Sequence, residues 1–425
     1  MSKLASACFA LLIFLGFESS LSARTFTLDK MPEDLDAVDI YLHTLQIGNQ
    51  VYNNFGHTAI RVHDRKSGQD LVFNWGIFDF GEPISFSWKF YRGILIYKLG
   101  IYPYTWAYES YHDEHRTVWE DRFDFDAGQK QRFLEKLIWN SREENRNYAY
   151  QYFFDNCSTR PRDYIDEAVD HQLRRQTEQV LGTETFRDAM YNGYQYNPGM
   201  DVLLDVGMNS RLDRRMSQWE HMFHPLALRE LLLKTPIDGK PILVPGSVVF
   251  EAPLPTAYRD RAYQFFLVFC GLGLLGAGAL LWVHNPRNGS AGARYRVWSL
   301  VGLPLLAVGG FFGFAMPLNW LVSEHYDLHH NANIFLFWPL DWGLCLASAV
   351  IFKRGGPIRL SLTAFRRVRW YLAGHFLVTM LLPMLYVLGV IHQEVGRVVV
   401  YLLPPYVLAL GLLYRFGFRS VEARR

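Results

Sequence analysis

The chain has 425 residues, enough for two or three domains, and its 43 Lys and Arg side chains nearly balance its 41 Asp and Glu side chains. The formal net charge of +2 therefore gives no argument for a nucleic-acid partner. Hydrophobic residues make up 50% of the chain, yet the mean hydropathy lies near zero. This combination indicates a polar part joined to a very apolar part.

The first residues have the layout of a secretory signal peptide. Lys3 precedes an apolar run from Leu4 to Phe17, and small residues follow as far as Ala23. The run is too short to cross a bilayer comfortably. We therefore predict a signal peptide over residues 1–23, with an uncleaved signal anchor as the alternative.

Residues 24–255 alternate strand-like and helix-like patterns with ordinary charge content, which predicts one soluble α+β domain. Near its start, two alternating segments surround a polar turn and predict a β-hairpin. If the turn centres on residues 66–67, Asn74 faces Ala59 across the hairpin. Asn74 then lies diagonal to His57 on the same side of the sheet.

The segment 152–161 delivers a cysteine to the predicted start of a helix. Its aromatic residues favour a strand, whereas Ser158 or Thr159 can cap a helix and Pro161 suits a first helical turn. Cys157 would then lie at the helix N-terminus. Unpaired N–H groups and the helix dipole favour the reactive thiolate there.

Four cysteines occur in the chain: Cys8, Cys157, Cys270 and Cys345. The first lies in the leader and the last two lie in apolar segments. The exported part therefore keeps a single thiol and can form no internal disulfide. An unpaired cysteine in an exported domain is a candidate reactive thiol; the alternative is a small buried hydrophobe.

Residues 77–111 are unusually aromatic. We expect most of these rings to lie in the core. The alternative for some of these rings is a functional role. They could line a groove for an acyl chain, or lie at a membrane interface, where Trp and Tyr are favoured.

The proline-rich stretch 236–255 predicts a junction, and residues 256–425 predict a membrane domain. Five apolar stretches in this part are about long enough to cross a bilayer. They lie near residues 263–283, 297–318, 334–352, 370–391 and 398–416. Basic residues cluster around 287–296, around 353–369 and in the C-terminal tail, and the positive-inside rule places these segments in the cytoplasm. Five crossings from an exported N-terminal domain put the C-terminus on the same side.

The loop 324–333 carries several histidines and acidic residues. Such a loop can bind a metal, but packing against the soluble domain, contact with lipid headgroups and substrate positioning are the alternatives that we favour. We name His325, His329 and Asn333 as candidate substrate-positioning residues and predict no metal site.

Thiol catalysis needs a nucleophile, a base and a group that holds the base in one tautomer. Cys157 and His57 can supply the first two, and rigid elements can present both to one cleft because one starts a helix and the other a strand. A lone strand histidine is otherwise a structural residue. Asn74 is our prediction for the third group. Its competitors are His63, Asp79 and Asp155.

Three motifs carry a resemblance to known proteins: Gly56-His57-Thr58-Ala59-Ile60-Arg61-Val62, Asn74-Trp75-Gly76-Ile77-Phe78-Asp79-Phe80 and Asn156-Cys157-Ser158-Thr159-Arg160. A histidine before a hairpin, with an Asn-Cys pair much later in the chain, resembles the circularly permuted NlpC/P60 papain-like fold of the lecithin:retinol acyltransferase relatives. Those relatives tend to have histidine as the third group, where this chain has Asn74. More closely, the motifs resemble the periplasmic domain of the Lnb-type bacterial lipoprotein N-acyltransferases, which also carry a C-terminal membrane domain.

The resemblance implies an α+β papain-like (permuted NlpC/P60) periplasmic domain over residues 24–255. An all-α membrane domain of about five transmembrane helices follows it over residues 256–425. It also implies a location in the bacterial inner membrane, with the N-terminal domain in the periplasm and the C-terminus in the cytoplasm.

The activity that the resemblance implies is a two-step acyl transfer. Cys157 attacks an ester carbonyl of a phospholipid to form a thioester, and the terminal amine of a diacylglyceryl-cysteine lipoprotein then takes the acyl chain. His57 is the base in both steps, and the Cys157 N–H helps to form the oxyanion hole, with Ser158 and Asp155 as supporting residues. The expected partners are a phospholipid donor, a lipoprotein acceptor and the membrane; no cofactor is expected.

Two other functions stay open. The same residues fit a papain-like hydrolase, either a phospholipase or a peptidoglycan amidase or endopeptidase. The non-enzymatic alternative is an exported sensory or scaffolding domain in which Cys157 is buried and inert.

Overall fold

A computed structural model of the chain describes residues 26–48, 53–78, 83–196, 199–253, 259–285 and 290–421. The predicted signal peptide over residues 1–23 and the competitor Asp79 lie outside the described residues.

The strands, in chain order, are β1 Val38–Leu45, β2 His57–Asp64, β3 Gln69–Phe78, β4 Ile96–Pro103, β5 Val118–Phe123, β6 Asn147–Ala149, β7 Leu181–Thr185, β8 Arg215–Ser217, β9 Pro236–Ile237, β10 Lys240–Pro241, β11 Leu243–Phe250, β12 Ile358–Leu360 and β13 Phe418–Ser420.

The α-helices are α1 Pro83–Arg92, α2 Tyr104–Asp113, α3 Ala127–Ser141, α4 Glu143–Arg146, α5 Thr159–Ala168, α6 Gln172–Thr177, α7 Phe186–Gly193, α8 Met200–Gly207, α9 Gln218–His221, α10 Pro225–Lys234, α11 Arg259–His284, α12 Ala291–Val322, α13 Asp341–Arg354, α14 Leu362–Val387, α15 Gly396–Tyr401 and α16 Leu403–Leu412.

The chain divides into two compact units. The first, which we call the sheet unit, contains the described residues up to Gln46 together with Gly56–Val180 and Ser217–Pro253. The second, the helical unit, contains Leu181–Met216, the chain from Leu254 onward and the short segment Ile47–Phe55. The architecture is therefore α+β, with an N-terminal sheet and a helical C-terminal part.

The sheet unit is built on one antiparallel sheet whose strand order, within the described residues, is β11-β5-β1-β2-β3-β4-β6. Both faces of its central strands are covered. On one face, Ile60 and Val62 belong to a large apolar core that includes residues of α3, α5 and α10. On the other face, Ala59 packs in a smaller cluster with Ala107 and Tyr111 of α2. Alternate residues of one strand thus meet different cores, as the two-residue period of a strand requires.

The hairpin of β2 and β3 has the predicted register. Ala59 pairs with Asn74, and the turn lies between Asp64 and Gln69. The Asp64 carboxylate accepts the N–H groups of Lys66 and Ser67 in that turn. Since side chains alternate along a strand, this register puts His57 and Asn74 on one face of the sheet, as expected.

The helical unit has its own apolar core, drawn from α12 to α16. Among the described residues, two helices are long and apolar enough to cross a membrane, α12 and α14. The stretch expected near 334–352 forms the 14-residue helix α13, which is roughly 21 Å long and shorter than a hydrocarbon core of about 30 Å. The stretch expected near 398–416 is divided between α15, α16 and a π-helical turn. Of the five expected spans, the described residues therefore contain two candidates that are long and apolar enough, α12 and α14.

Candidate active site

Cys157 lies directly before α5, in a turn that the Asn156 side chain builds. Asn156 Oδ1 accepts hydrogen bonds from the backbone N–H groups of Ser158, at 2.8 Å, and Thr159, at 2.9 Å. Ser158 makes no capping bond, and the Thr159 hydroxyl accepts the Asn156 N–H instead, at 2.7 Å. Ser158 therefore occupies the N-cap position as expected, but the Asn156 side chain supplies the capping hydrogen bonds.

The Asn156 amide also fixes the turn within the sheet unit. Its Nδ2 donates to the carbonyl oxygens of Tyr152, at 2.9 Å, and Phe223, at 3.1 Å. Asn156 is buried, so these bonds satisfy polar atoms that water does not reach. The backbone on both sides of Cys157 is consequently held in one conformation.

His57 begins β2 and is oriented by a chain of two side chains. Its Nε2 lies 2.8 Å from Asn74 Oδ1, and Asn74 Nδ2 donates to the Tyr102 hydroxyl at 2.6 Å. Because the Tyr102 bond engages the amide NH₂, the Asn74 oxygen faces the imidazole. Nε2 then carries the proton, and Nδ1 is the basic nitrogen.

A β-bulge and a glycine make room for this arrangement. The pairing of β3 with β4 shifts register between Asn74 and Ile77. A side chain at Gly76 would place its Cβ 2.9 Å from His57 Cε1 and 3.1 Å from Asn74 Oδ1. Only glycine leaves the imidazole and the amide in their observed positions, because real Cβ atoms do not approach other atoms so closely.

The half-buried Cys157 thiol is surrounded by hydrogen-bond donors. The Thr58 and Cys157 backbone N–H groups and the Ser158 hydroxyl favour its anionic form, as does the positive charge of Arg116. Burial outweighs them, so the pKa of Cys157 is raised above its ordinary value. The resting side chain is therefore a neutral thiol, whereas the helix N-terminus alone favoured a thiolate.

His57 is neutral for a related reason. Burial, together with the nearby Arg116 guanidinium, lowers its pKa to about 4, although the Asn74 bond opposes the shift. Arg116 is itself buried, and its guanidinium nitrogen Nη2 lies 2.8 Å from the carboxylate oxygen Oε2 of Glu114. At neutral pH, the site holds a neutral base and a neutral nucleophile.

The structure brings His57 and Cys157 together through shared neighbours. Thr58 follows His57 in β2, and its hydroxyl lies 2.9 Å from the Ser158 hydroxyl. The Arg116 charge acts on both the imidazole and the thiol. Among the described residues, the structure records no hydrogen bond between the Cys157 sulfur and His57.

The remaining predicted residues occupy varied positions. Asp155 forms a bidentate ion pair with Arg160, at 2.6 and 2.9 Å. In the helical unit, His329 Nε2 lies 2.9 Å from the Ser323 carbonyl oxygen, and the His325 N–H donates to the Ser323 hydroxyl. Asn333 is buried and donates to the carbonyl oxygens of residues 205 and 206. Their substrate-positioning role stays a prediction.

Sequence reasoning missed two residues of the site, Tyr102 and Arg116. Tyr102 is one ring in a very aromatic segment, and Arg116 lies in the loop before β5, so neither stands in a recognisable motif. The described residues contain no group of three or more His, Cys, Asp or Glu side chains arranged to hold a metal ion.

A comparison with protein families finds a match in the N-terminal part of the chain. Residues 30–191, which include Cys157, His57 and Asn74, match the family described as the Lnb N-terminal periplasmic domain. The resemblance predicted from the three motifs is thus confirmed for this domain, whereas the papain-like fold stays a prediction. No curated protein and no solved structure matches the chain.

The family match and the apolar helices lie in different parts of the chain. Its N-terminal part is similar to a periplasmic domain. Its C-terminal part contains two described helices that are long and apolar enough to span a bilayer.

Proposed function

We propose that this protein is a membrane-bound thiol acyltransferase. It moves an acyl chain from a phospholipid, through a thioester on Cys157, to the N-terminal amine of diacylglyceryl-cysteine lipoproteins. The observation that carries the proposal is an oriented His57 whose neighbour Thr58 donates its N–H to the Cys157 thiol, within a segment similar to the Lnb N-terminal periplasmic domain.

The first step forms the thioester. His57 Nδ1 takes the Cys157 proton while the sulfur attacks the ester carbonyl carbon of the phospholipid. The Cys157 and Thr58 backbone N–H groups act as donors to the sulfur and are suited to the oxyanion that forms. The carbon–oxygen bond then breaks, and the imidazolium returns the proton to the departing lysophospholipid oxygen.

The second step forms an amide. The neutral lipoprotein amine attacks the thioester carbonyl carbon, the carbon–sulfur bond breaks, and His57 removes the surplus proton from nitrogen. The thiolate takes that proton back, so the free thiol and neutral imidazole are restored. A site attached to a membrane replaces free diffusion of two lipid substrates with positioning at one surface.

The decisive experiment uses the purified full-length protein in phospholipid vesicles with isotope-labelled acyl chains and a diacylated lipopeptide acceptor. Mass spectrometry should detect the labelled triacylated lipopeptide, one lysophospholipid for each transfer and a labelled thioester on the Cys157 peptide. We expect Cys157→Ala to abolish all three products and Cys345→Ala, which changes a thiol of the helical unit, to retain them.

The same experiment separates the alternatives. Release of free fatty acid and lysophospholipid without acylated lipopeptide would replace the proposal with a phospholipase. Absence of any lipid product from the folded wild-type protein would contradict both enzymatic functions and favour the scaffolding domain.

A further inference from the structure

Helix α1 presents an apolar, aromatic surface to solvent within the sheet unit. The exposed fractions of its side chains are 86% for Ile84, 48% for Trp88 and 57% for Phe90. Ile96, at the start of β4, is also exposed. A cluster of exposed large hydrophobic residues marks an interaction surface rather than ordinary surface variation.

The charges of α1 favour an anionic lipid surface as the partner. The helix carries Lys89 and Arg92 in its last turn and contains no acidic residue. Trp is favoured at membrane interfaces, and basic residues add attraction to anionic headgroups. A protein partner would not require this pairing of aromatic rings with positive charge.

A continuous series of aromatic rings connects α1 with the thiol. The Phe86 ring lies 6.4 Å from the Phe90 ring and 6.0 Å from the Phe78 ring, measured between centroids. Phe78 in turn lies 4.7 Å from Tyr97, its pairing partner on β4.

Tyr97 lies at the end of this series that is nearest to Cys157. Its ring stacks on Tyr150 at 4.3 Å, and both tyrosines pack with Cys157 against the same core. Burial raises the pKa of the Tyr97 and Tyr148 phenols, and the charge of a Cys157 thiolate adds to both shifts. The rings thus extend from an exposed helix to the neighbourhood of the nucleophile.

We infer that α1 docks into the headgroup region of a phospholipid leaflet and that the rings of Phe86, Phe78 and Tyr97 guide an acyl chain from there to Cys157. The docking half of this inference stands without any catalytic activity. The guiding half rests on the proposed acyl transfer.

Photo-crosslinking tests the docking half on the full-length protein in nanodiscs of phosphatidylethanolamine and phosphatidylglycerol. Benzoylphenylalanine replaces Trp88 in one variant. In the control variant it replaces Trp139 of α3, which is 43% exposed and therefore matches Trp88 in type and exposure. We expect phospholipid adducts at position 88 and few or none at position 139. Equal lipid labelling at both positions, or protein adducts only at position 88, would overturn the inference.

A kinetic comparison tests the guiding half. The double variant Phe78→Leu with Phe86→Leu should lose ~10-fold or more of the acyl-transfer rate at limiting vesicle phospholipid, because two of the three guiding rings are removed and the acyl chain is positioned less well. Alkylation of Cys157 by iodoacetamide should keep its wild-type rate in the double variant. The control variant Trp139→Ser should keep the wild-type rates of both acyl transfer and alkylation. Unchanged lipid kinetics in the double variant would refute the guiding role.

The two experiments also separate this inference from the proposed function. If the wild-type protein transfers no acyl group while position 88 still crosslinks to phospholipid, the proposed chemistry fails and the docking surface stands. If transfer occurs without crosslinking, the docking surface fails and the chemistry stands.

Discussion

Arg116 influences the charge states of both residues in the proposed reaction. Burial, with a smaller effect of the Arg116 guanidinium, lowers the pKa of His57 to about 4. Burial raises the pKa of Cys157, and Arg116 opposes that rise. A base must be neutral to accept the thiol proton. His57 is neutral above its pKa and becomes protonated as the pH falls through it.

The acid limb of the pH–rate profile is the range in which activity falls because His57 becomes protonated. It should therefore lie near pH 4 rather than near 6.5, the ordinary pKa of histidine. Arg116→Gln removes a positive charge, so the pKa of His57 should rise towards 6.5 and the acid limb should move to higher pH. The measurement is the initial rate of lysophospholipid release from pH 3.5 to 9.

The same variant should slow alkylation of Cys157 at neutral pH, because its thiolate loses a favourable charge. Arg122→Gln is the matched control, since Arg122 is an exposed arginine on β5. An acid limb that stays in place in Arg116→Gln would contradict the assigned role of this cation.

In the proposed mechanism Asn74 and Tyr102 are positioning residues, because they would act on substrate only through His57. Asn74→Ala frees the imidazole to change its orientation and tautomer, and the acyl-transfer rate should fall by roughly 100-fold, the lower range of general base catalysis. Tyr102→Phe removes the hydroxyl that accepts the Asn74 amide but keeps Asn74 itself. It should therefore lower the acyl-transfer rate by less than Asn74→Ala does.

Asn74→Asp distinguishes positioning from simple loss of structure. A carboxylate beside His57 stabilises the imidazolium, so the pKa of His57 should rise and the acid limb should move to higher pH while much of the rate is retained. The measurement is the pH profile of both Asn74 variants. A profile of Asn74→Asp that coincides with the wild type would exclude direct contact between residue 74 and the base.

The sequence predicted Cys157, His57 and Asn74 as candidate site residues because each stands in a short motif, and their catalytic roles stay a prediction. Tyr102 and Arg116 could not be identified in this way. Tyr102 reaches Asn74 because β4 pairs with β3, and Arg116 reaches the site through the fold of the sheet unit. Long-range placement of this kind leaves no local pattern in the chain.

The β2–β3 hairpin shows where pattern reasoning works at the scale of an element. Its register follows from the alternation of side chains and the length of the turn, and Ala59 pairs with Asn74 as predicted. The bulge between Asn74 and Ile77 was not predicted, because a bulge depends on the partner strand. Gly76 marks its position.

Gly76→Ala should disable the site while leaving the fold intact. The new methyl group would meet His57 and Asn74, whose side chains must turn away. We expect loss of acyl transfer with unchanged circular dichroism. Gly207→Ala is the control, since a Cβ there meets nothing within 4 Å. Full activity in Gly76→Ala would contradict the close packing around His57.

Helix α5 depends on Asn156 for its start. Asn156→Ala removes two accepted and two donated hydrogen bonds in a buried turn, which should cost about 1 to 3 kcal/mol locally. Hydrogen exchange should become faster in residues 157–168. Thr185→Ala, which removes the cap of α7 in the helical unit, should leave that segment unchanged. Unaltered exchange in Asn156→Ala would show that the turn does not depend on this side chain.

At the scale of the whole molecule, composition separated a polar part from an apolar part, and the structure has a sheet unit and a helical unit. Residues 181–216 group with the helical unit through long-range bonds such as Asn333 Nδ2 to the carbonyl oxygen of Asp205. Hydropathy could not reveal this grouping. It also could not show that apolar stretches of similar length become one long helix in α12 but broken pieces in α15 and α16.

The number of membrane crossings decides on which side the C-terminus lies. From a periplasmic N-terminal part, an odd number of crossings ends in the cytoplasm and an even number ends in the periplasm. Two crossings, by α12 and α14, would thus leave the C-terminal tail in the periplasm, against the positive-inside preference of Arg415 and Arg419. Five crossings satisfy that preference.

We therefore expect a cytoplasmic C-terminus, reached because α11, α13 and the α15–α16 pair complete the crossings. Full-length fusions to green fluorescent protein should fluoresce, and fusions to alkaline phosphatase should be inactive. Reporters inserted at Gly355, beside the basic segment after α13, should give the same result, which provides an internal control. An active phosphatase at the C-terminus together with an inactive one at Gly355 would mean that α12 and α14 are separated by a single cytoplasmic segment. The broken helices α15 and α16 would then lie on the periplasmic side.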